Sequence, residues 1–569
     1  MADKATKPTH VEEVKVASRL LRGSIEQSLA DPLTGAIAED DTVLTKFHGT
    51  YQQDDRDVRA DRARRLLEPA YSFMVRARIT GGILTPAQWL DLDRLARDHC
   101  QSAIRVTTRQ TFQFHGVVKR DLKTTIRRIN DMLLTTLATC GDVNRNVMCT
   151  PLAEASAVHR AACAVADAIS DGLMPKTRAY HEIWLDGERV TPEQEVEPLY
   201  GPTYLPRKFK IAIAIPPWND VDVFAHDIGY VAIEENGELA GFNVLAGGGM
   251  GATHGDPATY PRLGSVLGFC TPDQALAVAE QILTVQRDYG DRTERKHARL
   301  KYTIDDRGVD WFKAELESRL GFALAPAAPF RFEHNGDRFG WQCDPEGLWH
   351  LTLFIPGGRI VDAGERRLLS GLKAIAEVHS GEFRFTPNQN VIVSKVAEAD
   401  KHAIEALAGS HGIDAGQTLL PFQRDAMACV ALPTCGLAMA EAERYLPEFL
   451  DRVAERLDRH GLREEPINIR ITGCPNGCAR PYVAEVALIG RAPGRYALML
   501  GGSRLGNRLA RPFRDNLSEA QILEVLDGEF AAFAAGRQGD ESFGDFLVRT
   551  LLRDVPTWPG ASATNSASS

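Results

Sequence analysis

The chain has 569 residues, of which 44% are hydrophobic and 25% are charged, and its formal net charge is −10. This length predicts roughly three or four domains with ample buried core, and the acidic balance argues against nucleic acid as a partner. The N-terminal residues lack the apolar core of a signal peptide, and no apolar run approaches the ~18 residues of a membrane span. We therefore expect a cytoplasmic protein without a membrane partner, whose ten cysteines are reduced thiols or ligands.

The two ends of the chain differ in composition from its centre. Residues 1–69 are polar and charged, and we interpret them as an arm that docks a partner protein. Residues 559–569 are rich in alanine and serine and predict a disordered tail.

Between these ends, two segments of the sequence resemble each other. In each copy, alternating apolar residues run into a Gly-Gly turn, which is followed by a helical segment and a second alternating strand. The landmarks are Gly81-Gly82, a helix over Ala87–His99 and Gln110 in the first copy, and Gly357-Gly358, a helix over Arg366–His379 and Gln389 in the second. The copies predict an internally duplicated, pseudo-twofold α+β fold with mixed sheets and a ligand between the halves. Convergent strand–turn composition is the alternative.

Basic residues recur beside glycines and at strand ends. A solvated surface charge is the simplest reading of any one of them, but several in apolar surroundings favour an anion pocket, because guanidinium groups clamp oxyanions and lysines donate protons. Arg105 and Arg109 are four residues apart, so an extended strand would place them on one face. The candidates are Arg76, Arg78, Arg105, Arg109, Arg145, Arg207, Lys208 and Lys210.

A glycine-rich stretch over residues 247–252 matches the loose Gly-x-Gly-x-x-Ala fingerprint of dinucleotide sites. The residues that follow do not begin an amphipathic helix, so we do not expect a Rossmann site. Because no flavin or nicotinamide motif is visible, electrons for any redox reaction must come from another chain.

Two pairs of cysteines have the spacing of metal ligands, with a helix predicted between them over Leu437–Arg459. Cys429 and Cys435 form one pair; Cys474 and Cys478 form the other, in a tight glycine-containing loop that turns both thiols to one side. The spacing favours an iron–sulfur cluster, with zinc or no metal as alternatives. The remaining cysteines that we interpret as structural are Cys100, Cys140, Cys163, Cys270 and Cys343.

From about Leu21 to about Val548, the chain resembles the hemoprotein subunits of NADPH-dependent sulfite reductases, within the siroheme-containing nitrite and sulfite reductase family. The most specific matching segments are residues 47–57 (FHGTYQQDDRD), 108–116 (TRQTFQFHG), 204–210 (YLPRKFK) and 472–478 (TGCPNGC).

The resemblance implies a siroheme joined to a [4Fe-4S] cluster through one shared thiolate. By position, Cys478 is the shared ligand, and Cys429, Cys435 and Cys474 complete the cluster. Sulfite is then expected among Arg76, Arg145, Lys208 and Lys210. The resemblance implies that the siroheme carboxylates contact Arg105, Arg109, Gln113, His115, Arg207, Arg299 and Asn476, with Arg299 the weakest assignment because the run from Arg295 to Lys301 permits a shifted alignment.

The family also implies domain boundaries. After the arm come a ferredoxin-like half-domain over residues 70–142 and a siroheme and substrate domain over 143–336. A second ferredoxin-like half-domain then covers 346–416, and an iron–sulfur and siroheme domain covers 417–558.

The implied activity is the six-electron reduction of sulfite to sulfide in assimilatory sulfur metabolism and cysteine biosynthesis. The expected electron donor is a flavoprotein alpha subunit that carries NADPH, FAD and FMN. A ferredoxin-dependent sulfite or nitrite reductase is the nearest alternative. In nitrite reductases an asparagine resembles the position of Lys210, so a lysine there favours sulfite. A non-catalytic electron carrier would leave the basic residues unexplained.

Overall fold

A computed structural model describes residues 7–176, 184–185, 188–189, 197–416 and 418–558. Helices alternate with four five-stranded sheets, as the sequence predicted for an α+β fold. The helices are α1 (His10–Ala17), α2 (Ile25–Ala30), α3 (Glu39–Leu44), α4 (Arg59–Arg64), α5 (Pro86–His99), α6 (Lys119–Asp131), α7 (Ala157–Gly172), α8 (Ala275–Tyr289), α9 (Leu300–Arg307), α10 (Val309–Leu320), α11 (Leu368–Val378), α12 (Lys401–Ser410), α13 (Pro421–Arg424), α14 (Leu446–Arg459), α15 (Glu519–Gly536) and α16 (Phe543–Arg549).

Two of the sheets are copies of one another that exchange an edge strand. The first sheet has the order β1 (Thr50–Asp54), β2 (Tyr71–Arg76), β5 (Phe112–Val117), β4 (Ile104–Val106) and β15 (Arg359–Ile360). The second has the order β13 (Gly340–Cys343), β14 (Trp349–Leu353), β19 (Val391–Val396), β18 (Glu382–Phe385) and β3 (Ile83–Leu84). The strand that follows each Gly-Gly turn therefore pairs with the other copy, β3 with β18 and β15 with β4.

The other two sheets repeat a second pattern, in which two parallel pairings are followed by two antiparallel ones. One has the order β6 (Met148–Cys149), β9 (Ile211–Ala214), β10 (Ile228–Glu235), β11 (Glu238–Ala246) and β12 (Ser265–Cys270). The other has the order β20 (Met427–Ala428), β21 (Ile469–Thr472), β22 (Val486–Ala492), β23 (Arg495–Leu500) and β24 (Arg511–Leu517). Two small hairpins complete the strands: β7 (Trp184–Leu185) with β8 (Glu188–Arg189), and β16 (Asp362–Ala363) with β17 (Arg366–Arg367). The predicted internal duplication is confirmed.

The ferredoxin-like halves share one hydrophobic core. Thr85 caps α5 by accepting a hydrogen bond from the Gln88 amide, and Pro86 occupies the first helical position, where no N–H is needed. Trp89 of this helix is fully buried and stacks on Phe383 of the other half, with ring centroids 4.6 Å apart. The two halves are thus joined by apolar packing as well as by strand exchange.

The predicted helices over Ala87–His99 and Arg366–His379 are present within two residues at each end, as α5 and α11. The helix predicted over Leu437–Arg459 begins nine residues later, at Leu446. The missing segment folds against the second cysteine loop instead, since the Met439 and Ala440 amides both donate to the Gly473 carbonyl. Pro447 lies in the first turn of the helix, where no N–H donor is needed.

The segment interpreted as a docking arm is built into the fold over most of its length. Its strand β1 forms an edge of the first sheet. The α1 residue Lys15 is buried, donates to the Leu205 carbonyl at 2.9 Å, and lies 3.6 Å from the Asp142 carboxylate. Its docking role stays a prediction, and the predicted disordered tail over residues 559–569 lies outside the described residues. Along the part of the chain that the structure describes, no helix is long and apolar enough to cross a membrane.

Candidate functional site

The two cysteine pairs meet because neighbouring parallel strands end at the same edge of one sheet. Cys429 follows β20 directly, and Cys474 and Cys478 lie in the loop after β21, the strand paired with β20. The loop that carries Cys435 folds back onto this edge, where the Met439 amide donates to the Gly473 carbonyl at 2.7 Å. All four thiols therefore face one region between the strand ends.

The surroundings of the sulfur atoms suit a bound thiolate. The Gly473 amide lies 3.3 Å from Cys429 Sγ, and the Asn476 amide nitrogen lies 3.6 Å from Cys474 Sγ. Burial raises the pKa of the Cys429 thiol well above its usual range, and the negative charges of Cys478, Cys474 and Cys435 raise it further. Because each thiolate raises the pKa of its neighbours, the four thiols ionise together only when a cation compensates their charge.

The spacing of these thiols differs from that of a single-ion site. Among the described residues, no three cysteine, histidine or carboxylate side chains are close enough to hold one metal ion. A zinc ion needs all of its sulfur ligands about 2.3 Å away, whereas an iron–sulfur cluster presents separate iron atoms to separate thiolates. The arrangement is compatible with a cluster-sized group.

The glycine-rich stretch supports the second cysteine loop. Gly477 has a φ of +63°, and a β-carbon at this position would lie 3.0 Å from the Met250 carbonyl oxygen. The Ala252 amide donates to the Pro475 carbonyl at 3.0 Å. Residues 253–264, which follow this stretch, form turns and isolated bridges and contain no helix. Its function is close packing against the loop of Cys474 and Cys478.

Two lysines form the centre of a basic pocket beside Cys478. Phe209 is buried and exchanges backbone hydrogen bonds with the Val143–Arg145 segment, so Lys208 and Lys210 project from the opposite side of the chain. Burial, together with the charges of Arg207 and Arg299, lowers the pKa of Lys208 to about 7. Burial and the charge of Lys208 hold the pKa of Lys210 well below its usual range. Both side chains are half-buried, so each amine keeps some access to solvent or to a ligand.

Three predicted arginines surround this pocket in different ways. Arg145 donates to the Gly141 carbonyl at 2.9 Å, while its backbone amide binds the Phe209 carbonyl. Arg299 forms a two-pronged ion pair with Asp227, at 3.0 and 2.9 Å. Arg109 donates to the carbonyls of Asn146 and Ile211. Burial and the charge of Arg480 lower the pKa of Arg109 to about 9.

Arg76 lies on the side of the pocket nearest the first sheet. Its guanidinium donates to Cys140 Sγ at 3.1 Å. The Gln113 amide oxygen, oriented toward Arg76, accepts from Arg76 Nε at 3.1 Å. His115 continues this row, with Nδ1 3.1 Å from the Gln53 amide oxygen. Arg76, Gln113 and His115 therefore form one polar row on β2 and β5.

Arg105 does not share a face with Arg109, contrary to the sequence analysis. Arg105 lies on β4, but the strand ends at Val106, and Arg109 belongs to the turn that follows. The Arg105 guanidinium binds Glu443 at 2.5 Å and the carbonyls of Gly357 and Ala428 at 3.1 Å. These contacts join the two halves, and its role as a cofactor contact stays a prediction.

Sequence analysis missed two further lysines at the pocket. Lys301 is buried, donates to the Gly251 carbonyl at 2.7 Å, and has a pKa that burial and Arg299 hold well below its usual range. The signal was present in the basic run that ends at Lys301. Lys46 is half-buried, and burial and the charges of Arg295 and Arg207 lower its pKa. The residues next to Lys46 in the sequence form no motif that would have predicted its place at the pocket.

Several basic side chains of the pocket have no partner in the part of the chain that the structure describes, and this bears on whether a cofactor with many carboxylates fits there. Lys208, Lys210 and Arg207 have no hydrogen-bond or ion-pair partner among the described residues, and the buried Arg109 Nε also lacks one there. Half-buried cations without a partner are costly to the fold, and an anion that pairs with them removes this cost. The residues present therefore fit an anionic group such as siroheme, with the cysteine edge beside it for a cluster.

Family models and curated relatives give the same family, and a solved structure gives the same fold. The model described as "Nitrite and sulphite reductase 4Fe-4S domain" matches residues 165–324. The "Nitrite/Sulfite reductase ferredoxin-like half domain" matches residues 66–132 and 342–411. The first match covers the copy that contains β9–β12 rather than the copy with the four cysteines, and the repeated strand pattern accounts for this.

Curated relatives cover nearly the whole chain. The sulfite reductase [NADPH] hemoprotein beta-component of Myxococcus xanthus is 58% identical over 541 residues, covering 95% of this chain and 96% of the relative. Proteins of the same name from Shouchella clausii and Xanthomonas oryzae are 55% and 56% identical, covering 95% and 96% of this chain and 95% and 97% of their own lengths. The solved structure of the Mycobacterium tuberculosis NirA protein is 23% identical, has a TM-score of 0.77, and covers 96% of this chain and 97% of its own. That structure supports the fold.

Proposed function

This chain belongs to the sulfite reductase hemoprotein family, and on that premise we propose how its residues carry out the reaction. Its enzymatic activity is the six-electron reduction of sulfite to sulfide with a siroheme and a [4Fe-4S] cluster. We assign Cys429, Cys435 and Cys474 to the cluster alone and Cys478 to both groups. The observation that supports this assignment is the position of Cys478, which is exposed and lies close enough to Lys208 and Lys210 to raise the pKa of both amines.

The bound cofactors supply electrons, and the pocket supplies charge and protons. Arg76 and Arg145 are the proposed ligands of the sulfite anion, because guanidinium groups bind oxyanions with two parallel donors. Lys208 and Lys210 are the proposed proton donors. A pKa near 7 lets Lys208 exist in both protonation states near neutral pH, which suits a group that repeatedly loses and regains a proton.

The siroheme carboxylates are assigned to the remaining cations of the pocket. Arg109 and Arg207 are the strongest candidates, since neither has a carboxylate partner among the described residues. Arg299 shares its charge with Asp227, and Lys301 binds three carbonyls, so each would contribute a weaker contact. Gln113, His115 and Asn476 supply neutral polar contacts in this proposal.

The name "beta-component" carried by the relatives implies a second component. We propose that this component is a flavoprotein that carries FAD and FMN, oxidises NADPH and passes electrons to this chain. Ferredoxin is the alternative donor, and reduction with each purified donor distinguishes them.

We also propose a cytoplasmic location, supported by ten cysteines that are all free thiols in the structure.

The absorption spectrum of the purified protein tests the function most directly. We expect bands of a siroheme together with iron–sulfur absorption, and sulfide as the product when reduced donor and sulfite are added. A colourless protein after expression with siroheme synthesis and iron supplied would refute the assignment. A coloured protein that reduces nitrite but not sulfite would favour the nitrite reductase alternative.

Substituting Lys210 by asparagine is expected to lower sulfite turnover more than nitrite turnover. Sulfite is a dianion, and its reduction to sulfide needs protons for three departing oxygens. Asparagine at position 210 supplies neither the positive charge nor the donated proton of the lysine amine. We expect roughly a tenfold or greater difference between the two losses, measured as kcat/KM for each substrate. Lys313→Asn, at the partly exposed ion pair with Glu317, is the control. Equal losses for both substrates would contradict a specific role for Lys210.

A further inference from the structure

Two oppositely charged residues occupy equivalent positions in the duplicated sheets. Strand β21 begins 258 residues after β9, and β22 begins 258 residues after β10. Asp222 and Arg480 lie in the loops between these strand pairs and are separated by the same 258 residues. Both have a left-handed φ of +51°, which an L-residue adopts only when its surroundings hold it there. Asp222 and Arg480 are therefore equivalent positions in the two copies of the repeat.

The two residues form a buried ion pair that includes a second arginine. The Asp222 carboxylate accepts from Arg480 Nε at 2.5 Å and from Arg470 Nη1 at 2.6 Å. Asn335 donates to its other oxygen at 2.8 Å. Burial opposes the charge of Asp222, but both arginines hold the pKa of its carboxyl well below its usual range. Asp222 and both arginines are buried, so their charges depend on one another.

The remaining donors of Arg480 reach both ferredoxin-like halves. Arg480 Nη1 binds the Thr108 carbonyl at 2.8 Å, and Nη2 binds the Pro387 carbonyl at 3.1 Å. Thr108 and Pro387 are 279 residues apart, the same separation as Gln110 and Gln389 in the two equivalent turns. One guanidinium thus binds the equivalent turns of both halves.

The same contacts lead to the cofactor thiol. Arg480 follows Cys478 by two residues, and the Thr108 hydroxyl donates to the Cys478 carbonyl at 2.9 Å. The turn that Arg480 binds is therefore hydrogen-bonded to the backbone of Cys478. Arg109, the next residue in that turn, contributes to the basic pocket.

We propose that Arg480, held by Asp222, is a positioning residue that orients Cys478 between the two halves of the fold. The inference rests on the proposed function insofar as Cys478 is the shared ligand of the cluster and the siroheme. Arginine suits this position because its planar fork binds three acceptors at once. Lysine retains the charge for Asp222 but cannot bind both carbonyls in the same geometry.

The test compares Arg480→Lys with Arg384→Lys. Arg384 is equally buried and also joins the halves, through Glu154, Glu382 and the Pro151 carbonyl, but it has no contact with the Cys478 loop. Amide hydrogen exchange is measured over residues 107–110, 386–389 and 473–483. The absorption and electron paramagnetic resonance spectra report the coupling between the cofactors. For Arg480→Lys we expect exchange about tenfold faster in these segments, together with altered cofactor coupling, and no such change for Arg384→Lys.

Each outcome bears on a separate claim. Exchange in Arg480→Lys that is no faster than in Arg384→Lys would overturn the proposal. Faster exchange with unchanged cofactor coupling would overturn the orienting role toward Cys478. If Arg480→Lys does not fold, Thr108→Val replaces it in the test. This substitution removes the hydrogen bond to the Cys478 carbonyl, and we expect the same local increase in exchange. A wild-type protein that binds no heme would refute the proposed function, while the exchange comparison would still decide whether Arg480 orders the loop.

Discussion

Replacing Cys478 by serine is expected to abolish sulfite reduction and the coupling between cluster and siroheme in one step. Serine is nearly the same size but does not supply a thiolate, so the shared ligand is lost while the loop that Gly477 and Met250 support is kept. Changes one shell beyond a metal ligand already lower affinity or activity by 10–100-fold. We therefore expect sulfite turnover to fall by more than about 100-fold.

Three measurements check this prediction: iron content, the absorption spectrum and sulfide production with a chemical reductant. Cys343→Ser is the matched control, because Cys343 is also exposed and its sulfur is hydrogen-bonded to the Asp344 carbonyl. A Cys478→Ser protein with full activity would show that the assignment of the shared ligand is wrong. Loss of activity in the Cys343→Ser control would point to general damage.

Substituting Lys208 by methionine is expected to lower sulfite turnover by about 100-fold or more, since a positioned proton donor contributes roughly 10²–10⁴-fold to rate. Methionine keeps much of the length of the side chain but carries no proton. The loss should appear in kcat more than in KM, because Arg76 and Arg145 still hold the anion in our proposal. A variant with unchanged kcat would contradict the role of Lys208 as a proton donor.

The same substitution is expected to stabilise the cofactor-free protein at neutral pH. The pKa of Lys208 is about 7 in the fold and about 10.4 in an unfolded chain. Between these values the unfolded chain binds the additional proton, so the charged amine lowers stability increasingly as the pH falls from about 10 to about 7. Methionine removes this penalty, on the order of 2 kcal/mol after allowance for solvent screening in the open pocket.

Thermal unfolding of both proteins between pH 7 and pH 10 measures this difference. The gain in Lys208→Met should be largest near pH 7 and should shrink toward pH 10. Lys313→Met, at a partly exposed ion pair, should show no comparable pH dependence. A destabilised Lys208→Met protein at pH 7 would mean that the amine contributes favourable contacts that outweigh its burial.

The sequence by itself determined the repeat, and with it most of the fold. Gly-Gly turns, capped helices and alternating strands are local features, and their recurrence at a constant offset reports two copies of one unit. The helix over Pro86–His99 was predictable because its cap and proline lie within a few residues of each other. The four candidate cysteine ligands were recognisable for a similar reason, since each pair lies within one loop.

Only the tertiary structure decided how the copies combine and which charges remain uncompensated. The exchange of β3 and β15 between sheets has no local signal, because each strand is two residues long. Arg105 and its partner Glu443 are 338 residues apart, and Arg480 and Asp222 are 258 apart. Arg105, Arg207, Arg299 and Lys208 are equally basic in the sequence. Their roles differ because folding places a carboxylate beside Arg105 and Arg299 and leaves Arg207 and Lys208 facing a pocket.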